Sequence, residues 1–143
     1  MTGLPPLAIA PEASPDEATV RAIESGLNDY NQARAGDARW STRWIVGRDL
    51  GGAVQAGVRY VTAYDWLFVE WLWVAEAYRR RGVGSELLAR AEATAREFRC
   101  RAAYLDTFTF QAPKFYEKHG YREFGRLDDF PPGHSRIWLA KTL

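Results

Sequence analysis

The densest chemical signal in this 143-residue chain is Arg79-Arg80-Arg81-Gly82-Val83-Gly84-Ser85. It follows an apolar run, Trp66 to Ala75, and precedes a stretch of helical periodicity, so it falls where a buried strand hands over to a helix. Glycines let a backbone approach a ligand closely, and the unpaired N–H groups and dipole at a helix start favour an anion such as a pyrophosphate. Three arginines add positive potential at the same point. Leu87 occupies the third small-residue position of the dinucleotide fingerprint, and no Lys-Ser or Lys-Thr follows Gly84, which disfavours both nucleotide motifs. The plainer alternative is an Arg-rich helix start with glycine at its cap. A second signal is Glu70, the only charged side chain between Trp66 and Ala75. Isolation among Trp66, Phe68, Trp71 and Trp73 is expected to desolvate the carboxylate and raise its pKa, the direction a general base near neutral pH requires. A structural Glu paired with a buried Arg is an equal alternative. His119 and His134 lack partners at metal-ligand spacing, and neither His-Glu-x-x-His nor Gly-x-Ser-x-Gly occurs, so no metal and no nucleophilic triad are expected.

These residues need elements to position them. Leu7-Ala8-Ile9 reads as a short first strand, and Ser14-Pro15-Asp16-Glu17 as a helix start with Ser14 at the cap and Pro15 in the first turn. Val20, Ile23 and Leu27 then space an apolar stripe, and the polar run from Asn28 to Gln32 suggests a break before a second helix. Trp40–Arg48 and Ala53–Tyr64 read as a hairpin turned at Gly51-Gly52. Trp66–Ala75, the most apolar segment, reads as a central strand buried on both faces. Val83, Leu87, Leu88, Ala91, Ala95 and Phe98 form one face of an amphipathic helix, with Glu86/Arg90 and Glu92/Arg96 pairs opposite. Ala102–Thr107 follows as a strand, parallel to the one before the helix through a right-handed crossover. A short helix over Ala112–His119 ends at Gly120, and Tyr121–Arg126 and Ser135–Thr142 form a last strand pair.

The segment Val74-Ala75-Glu76-Ala77-Tyr78-Arg79-Arg80-Arg81-Gly82-Val83-Gly84 resembles the acyl-CoA signature of the GNAT acetyltransferase superfamily, with Arg79, Gly82 and Gly84 on its three marked positions. Ala112-Pro113-Lys114-Phe115-Tyr116-Glu117-Lys118-His119-Gly120-Tyr121 resembles a second segment of the same superfamily. Both occur in the right order, and the likeness is firm over residues 66–126. It implies a GNAT-like single domain over residues 1–143, of mixed α/β class, with a mostly antiparallel sheet of about six to seven strands and helices on both faces. It also implies acetyl-CoA as acyl donor and direct transfer to an amine in a ternary complex.

By the same resemblance, Val74 matches the position whose backbone pairs with the pantetheine arm, with Leu72 and Trp73 beside it. Arg79, Arg80, Arg81, Gly82, Val83, Gly84 and Ser85 match the pyrophosphate cradle. Tyr116 matches the acid that protonates the departing thiolate, and a phenol with an ordinary pKa of about 10 suits a thiol leaving group; the alternative is a packed core tyrosine. Glu70 matches a general base found in several members. Where many members carry an Asn that holds cofactor or fixes a strand end, this chain has Thr109. Asp129, beside Asp128 in the loop before the last strand, and Trp71, with Trp66 and Tyr64, are acceptor-side candidates through charge and cation–π attraction. Solvated loop and core packing are their respective alternatives.

Composition fits this frame. Hydrophobic residues make up 47% and charged residues 26%, inside the globular range, and a formal charge of +1 argues against a dedicated nucleic-acid or polybasic membrane surface. The single cysteine, Cys100, rules out an intramolecular disulfide and suits a reducing compartment, and Met1-Thr2-Gly3-Leu4-Pro5-Pro6 offers neither a basic nor an apolar signal region, so a cytoplasmic protein without a secretory signal is expected. The partners expected are acetyl-CoA and a small-molecule amine, with a homodimer left open. Protein lysine or N-terminal acetylation, and a non-catalytic CoA sensor, stand as alternatives.

Overall fold

A computed structural model describes residues 3–143. Contacts divide the chain into two compact units, one ending at Asp37 and one spanning Ala38–Leu143. The first is built on one helix, α1 (Glu17–Ala35). Its N-cap is Asp16, whose Oδ1 accepts the Thr19 N–H at 2.8 Å, and hydrogen bonding from Thr19, foremost its side chain and then this amide, holds the carboxyl below the usual carboxylate range. This differs from the expected Ser14 cap, because Asp16 is the residue three before a free amide. The expected break after Leu27 is also absent: α1 runs on through the polar stretch to Gly36, whose N–H bonds Gln32 O and whose φ of 78° ends the helix. Leu7-Ala8-Ile9 forms no strand.

The second unit carries a six-stranded sheet in the order β1-β2-β3-β4-β6-β5. Its strands are β1 (Ser41–Arg48), β2 (Val54–Ala63), β3 (Trp66–Val74), β4 (Ala102–Phe108), β5 (Arg122–Asp128) and β6 (Ser135–Thr142). Every neighbour pair is antiparallel except β3–β4, which the helix α2 (Val83–Glu97) connects as a parallel crossover. The short helix α3 (Pro113–Lys118) joins β4 to β5.

Period-two alternation sends Val58 and Tyr60, Leu67 and Val69, Leu105, and Ile137 and Leu139 to one face, where Leu87, Leu88, Ala91 and Ala95 of α2 meet them. Ala91 and Ala95 are wholly buried, and their small side chains let α2 approach the sheet closely. Phe115 and Tyr116 of α3 pack against the same core. Glu92, expected on the outer face of α2, is instead buried. Its Oε1 accepts the Tyr121 hydroxyl at 3.1 Å, and Lys141 Nζ reaches its two oxygens at 3.0 and 2.9 Å. That cluster ties α2 to β6 and to Tyr121, the residue just before β5.

β3 is central, as its apolarity indicates, but only half of it is enclosed. Leu67 and Val69 are buried, whereas Trp71 and Trp73 are 59% and 51% exposed. The register explains the change. Val69 pairs with Tyr60 and Trp71 with Arg59, so Glu70 is an extra residue in β3, a β-bulge. On the other side, β3 pairs with β4 only from Trp66↔Ala102 to Val69↔Leu105, although β3 runs to Val74 and β4 to Phe108. Each strand stays paired to its outer neighbour, so the sheet forks at Glu70 and Asp106.

Candidate active site

The fork opens into a cleft of about 940 Å³ between β3, β4, the start of α2 and α3. At its mouth the sequence dictates an anion-binding helix end. Gly82 takes φ 79° at the N-cap of α2, a left-handed conformation that glycine adopts without penalty, and α2 has no side-chain cap bond. Intrahelical bonding begins with Glu86 N–H to Gly82 O at 3.0 Å, leaving the first-turn amides of Val83, Gly84 and Ser85 facing outward at the positive end of a 15-residue helix. A Cβ on Gly84 would sit 3.4 Å from the Phe115 ring and 3.8 Å from Leu72, in ordinary van der Waals contact, so this turn of α2 lies close against α3 and β3. Arg79, Arg80 and Lys118 line the same end. Ser85 Oγ lies 2.9 Å from His119 Nε2.

Deeper in, the free edge of β3 forms one wall. Ala75 N–H bonds Gln55 O of the β2 side, so by strand alternation the amides of Val74 and Leu72 point the other way, into the fork. Arg79 Nε donates to Val74 O at 2.9 Å, which occupies that carbonyl and pins the arginine beside the strand end. The open edge therefore consists of the Leu72 N–H and C=O and the Val74 N–H, while the Trp73 amide faces β2. An extended ligand carrying amides can pair with such an edge as an added strand does.

Tyr116, delivered by α3, reaches the cleft over Phe115 and Tyr121, with ring centroids 5.1 and 6.1 Å away. Desolvation, with a smaller contribution from the Asp106 charge, pushes its phenol up to about 12. It is therefore fully protonated at neutral pH. Glu70 lines the cleft from the bulge, but not in isolation as its apolar neighbours imply. It is ion-paired with Arg59 of β2, whose guanidinium lies 5.1 Å from the Trp71 ring and 5.6 Å from Trp44. Arg59 sits eleven positions back in sequence, and only the hairpin register brings it across from Trp71.

Of the residues singled out from sequence, Glu70, Trp71, Leu72, Trp73, Val74, Arg79, Arg80, Gly82, Val83, Gly84, Ser85 and Tyr116 line this one cleft. Arg81 is outside the lining, with its guanidinium 6.0 Å from the Tyr78 ring. Thr109 is outside it too: its Oγ1 accepts the Ser135 N–H at 3.0 Å and its own N–H bonds Ser135 O, fixing the end of β4 to the start of β6. Asp129 sits at φ 52° in the β5–β6 loop and is likewise not in the lining. Sequence reasoning missed Asp106, Gln111 and Phe110, which do line it. The signal for Asp106 is the one that found Glu70, a lone charge near the end of a buried strand.

A family model described as "Acetyltransferase (GNAT) family" matches residues 10–121. The chain is 37% identical over 128 residues to the acetyltransferase Atu2258 of Agrobacterium fabrum, covering 90% of this chain and 93% of that protein. It is 43% identical over 93 residues to the blasticidin-S acetyltransferase of Streptomyces morookaense, covering 64% and 68%. The crystal structure of an acetyltransferase from Bacillus cereus superposes with a TM-score of 0.82 at 34% identity, covering 94% of this chain and 98% of that one.

Proposed function

The chain belongs to the GNAT acetyltransferase family and is an acyl-CoA-dependent acetyltransferase; we propose that it transfers acetyl from acetyl-CoA to a primary amine of a small molecule by direct attack. The observation that carries this reading is the single cleft holding an uncapped helix N-terminus at one end and, at the other, the Tyr116 hydroxyl and Glu70 carboxylate at the fork. The residues fit the donor. The amides of Val83, Gly84 and Ser85, with Arg79 and Arg80, suit a pyrophosphate. The Leu72 and Val74 edge suits the amides of a pantetheine arm, and Phe115 and Trp73 give the cleft apolar walls beside it.

In the reaction the amine nitrogen forms a bond to the thioester carbonyl carbon, the carbon–sulfur bond breaks, and the nitrogen's proton is replaced by acyl. Glu70 takes that proton, directly or through a water, and Arg59 fixes the carboxylate's orientation from behind. Tyr116 directs its O–H at the sulfur as negative charge develops there. With a pKa of about 12 the phenol holds its proton throughout the working range and acts foremost as a hydrogen-bond donor to the leaving sulfur. A small-molecule acceptor is supported by the similarity to an acetyltransferase of that kind. Thiol release from acetyl-CoA, measured with a panel of small amines and with lysine-containing peptides, tests the proposal. Turnover with small amines supports it. Turnover with peptides alone would make the protein a protein acetyltransferase, and CoA binding without any turnover would make it a sensor.

A further inference from the structure

Asp106 is the fork's second carboxylate. Val69↔Leu105 is the last β3–β4 pair, so Glu70 and Asp106 are the next residue on each strand and flank the opening, where the strands are still about 5 Å apart. The two are built alike. As Arg59 backs Glu70 from β2, Arg136 backs Asp106 from β6, with Nε and Nη2 at 2.7 and 2.6 Å from the same oxygen, Oδ1. The Arg136 guanidinium is itself held among aromatic rings, 5.1 Å from Trp138, 5.4 Å from Phe130 and 5.5 Å from Phe108. Both of these contacts fall on Oδ1. Next to it, Gln111 Oε1 accepts from Thr107 Oγ1 at 2.8 Å and from Phe108 N at 3.0 Å, which turns the amide nitrogen of that side chain away from those contacts. Asp106 shares the cleft with Tyr116 closely enough that its charge helps to raise the phenol. Apolar surface from Trp71, Trp73 and Phe110 lines the same cleft.

We propose that Asp106 anchors a second cationic nitrogen of the acceptor, so that preferred acceptors are small diamines with a planar apolar body, one amine at Glu70 for acylation and the other on Asp106. This rests on the amine-acetylating reading above and extends it to the class of amine. A monoamine leaves Asp106, which lines the cleft, without the second cation that a diamine brings to it, and a carboxylate so placed discriminates by charge rather than by shape.

The test is titration calorimetry of the CoA-saturated protein with 1,3-bis(aminomethyl)benzene and with 3-methylbenzylamine, which has the same ring but a methyl in place of the second aminomethyl group. Wild type is expected to bind the diamine at least tenfold more tightly, with one site per chain. Asp106→Asn brings the two amines within about threefold of each other. Arg136→Gln keeps or widens the preference, because it leaves the carboxylate unneutralised. A purely structural ion pair predicts the reverse, that Asp106→Asn and Arg136→Gln erase the preference alike, and that result overturns the proposal, as does equal binding of both amines by wild type. Acetylation of 3-methylbenzylamine without any diamine preference would overturn the anchor and leave the transferase reading intact. Diamine preference without acetyl release would do the opposite.

Discussion

Removing Lys141 probes the cluster that holds α2 and Tyr116 in register. Lys141 Nζ lies 2.9 and 3.0 Å from the two Glu92 oxygens, and the Glu92 side chain is only 7% exposed. Lys141→Met therefore leaves a buried carboxylate with only the Tyr121 hydroxyl at 3.1 Å and Arg96, 3.9 Å away and half exposed. Loss of one partner of a buried pair costs about 3–5 kcal/mol, and partial takeover by Arg96 puts the expectation near the low end, ~3 kcal/mol. For a chain of this length the unfolding entropy converts that to a fall in Tm of about 10 °C. Because the Tyr121 ring packs edge-to-face against Tyr116, the loosened cluster should also lower kcat at temperatures well below the new Tm. Differential scanning calorimetry of Lys141→Met, Glu92→Gln and the double variant measures the coupling. Glu92→Gln in the Lys141→Met background should recover stability, since the penalty is an unpaired charge. A Tm within 3 °C of wild type for Lys141→Met, or strictly additive losses in the double variant, would refute the reasoning.

Tyr116→Phe should lower kcat by about two to four orders of magnitude, with the KM for acetyl-CoA within about twofold of wild type, in steady-state thiol release; an unchanged kcat would return Tyr116 to packing. Tyr116 and Tyr121 both have folded pKa values raised above the ordinary phenol value, chiefly by desolvation. Their contribution to stability is fully present below about pH 10 and lost as pH rises through the folded values, so Tm should fall above pH ~10, and Tyr121→Phe should flatten that fall.

Much of this was legible in the sequence because it was local. The strand-to-helix junction at Arg79–Ser85 is read from neighbours in the chain, as are the helix face of α2 and the hairpin turn at Gly51-Gly52. What escaped was set by pairing between distant residues. Glu70 looks isolated among tryptophans until the β2–β3 register brings Arg59 across from Trp71. The bulge at Glu70, which ends β3–β4 pairing and opens the cleft, has no composition signal, since a one-residue insertion appears only against a partner strand. Glu92 reads as a surface pair with Arg96 by helical spacing, and only the approach of β6 buries it on Lys141. Asp129 stands out through its doublet with Asp128, while the aspartate that lines the cleft beside Glu70 is Asp106, a single charge in an otherwise ordinary strand.

The central claim is that the α2 N-terminus and the β3–β4 fork hold acetyl-CoA. Gly82 is the place to test it, because nothing lies within 4 Å of a Cβ built there, so a side chain fits the fold at a cost of about 1–2 kcal/mol for its positive φ. Titration calorimetry with CoA should show saturable binding to wild type and at least a hundredfold loss in Gly82→Glu, whose carboxylate stands where the phosphates belong, with the variant still folded by circular dichroism. A folded Gly82→Glu variant that binds CoA as tightly as wild type would contradict the account.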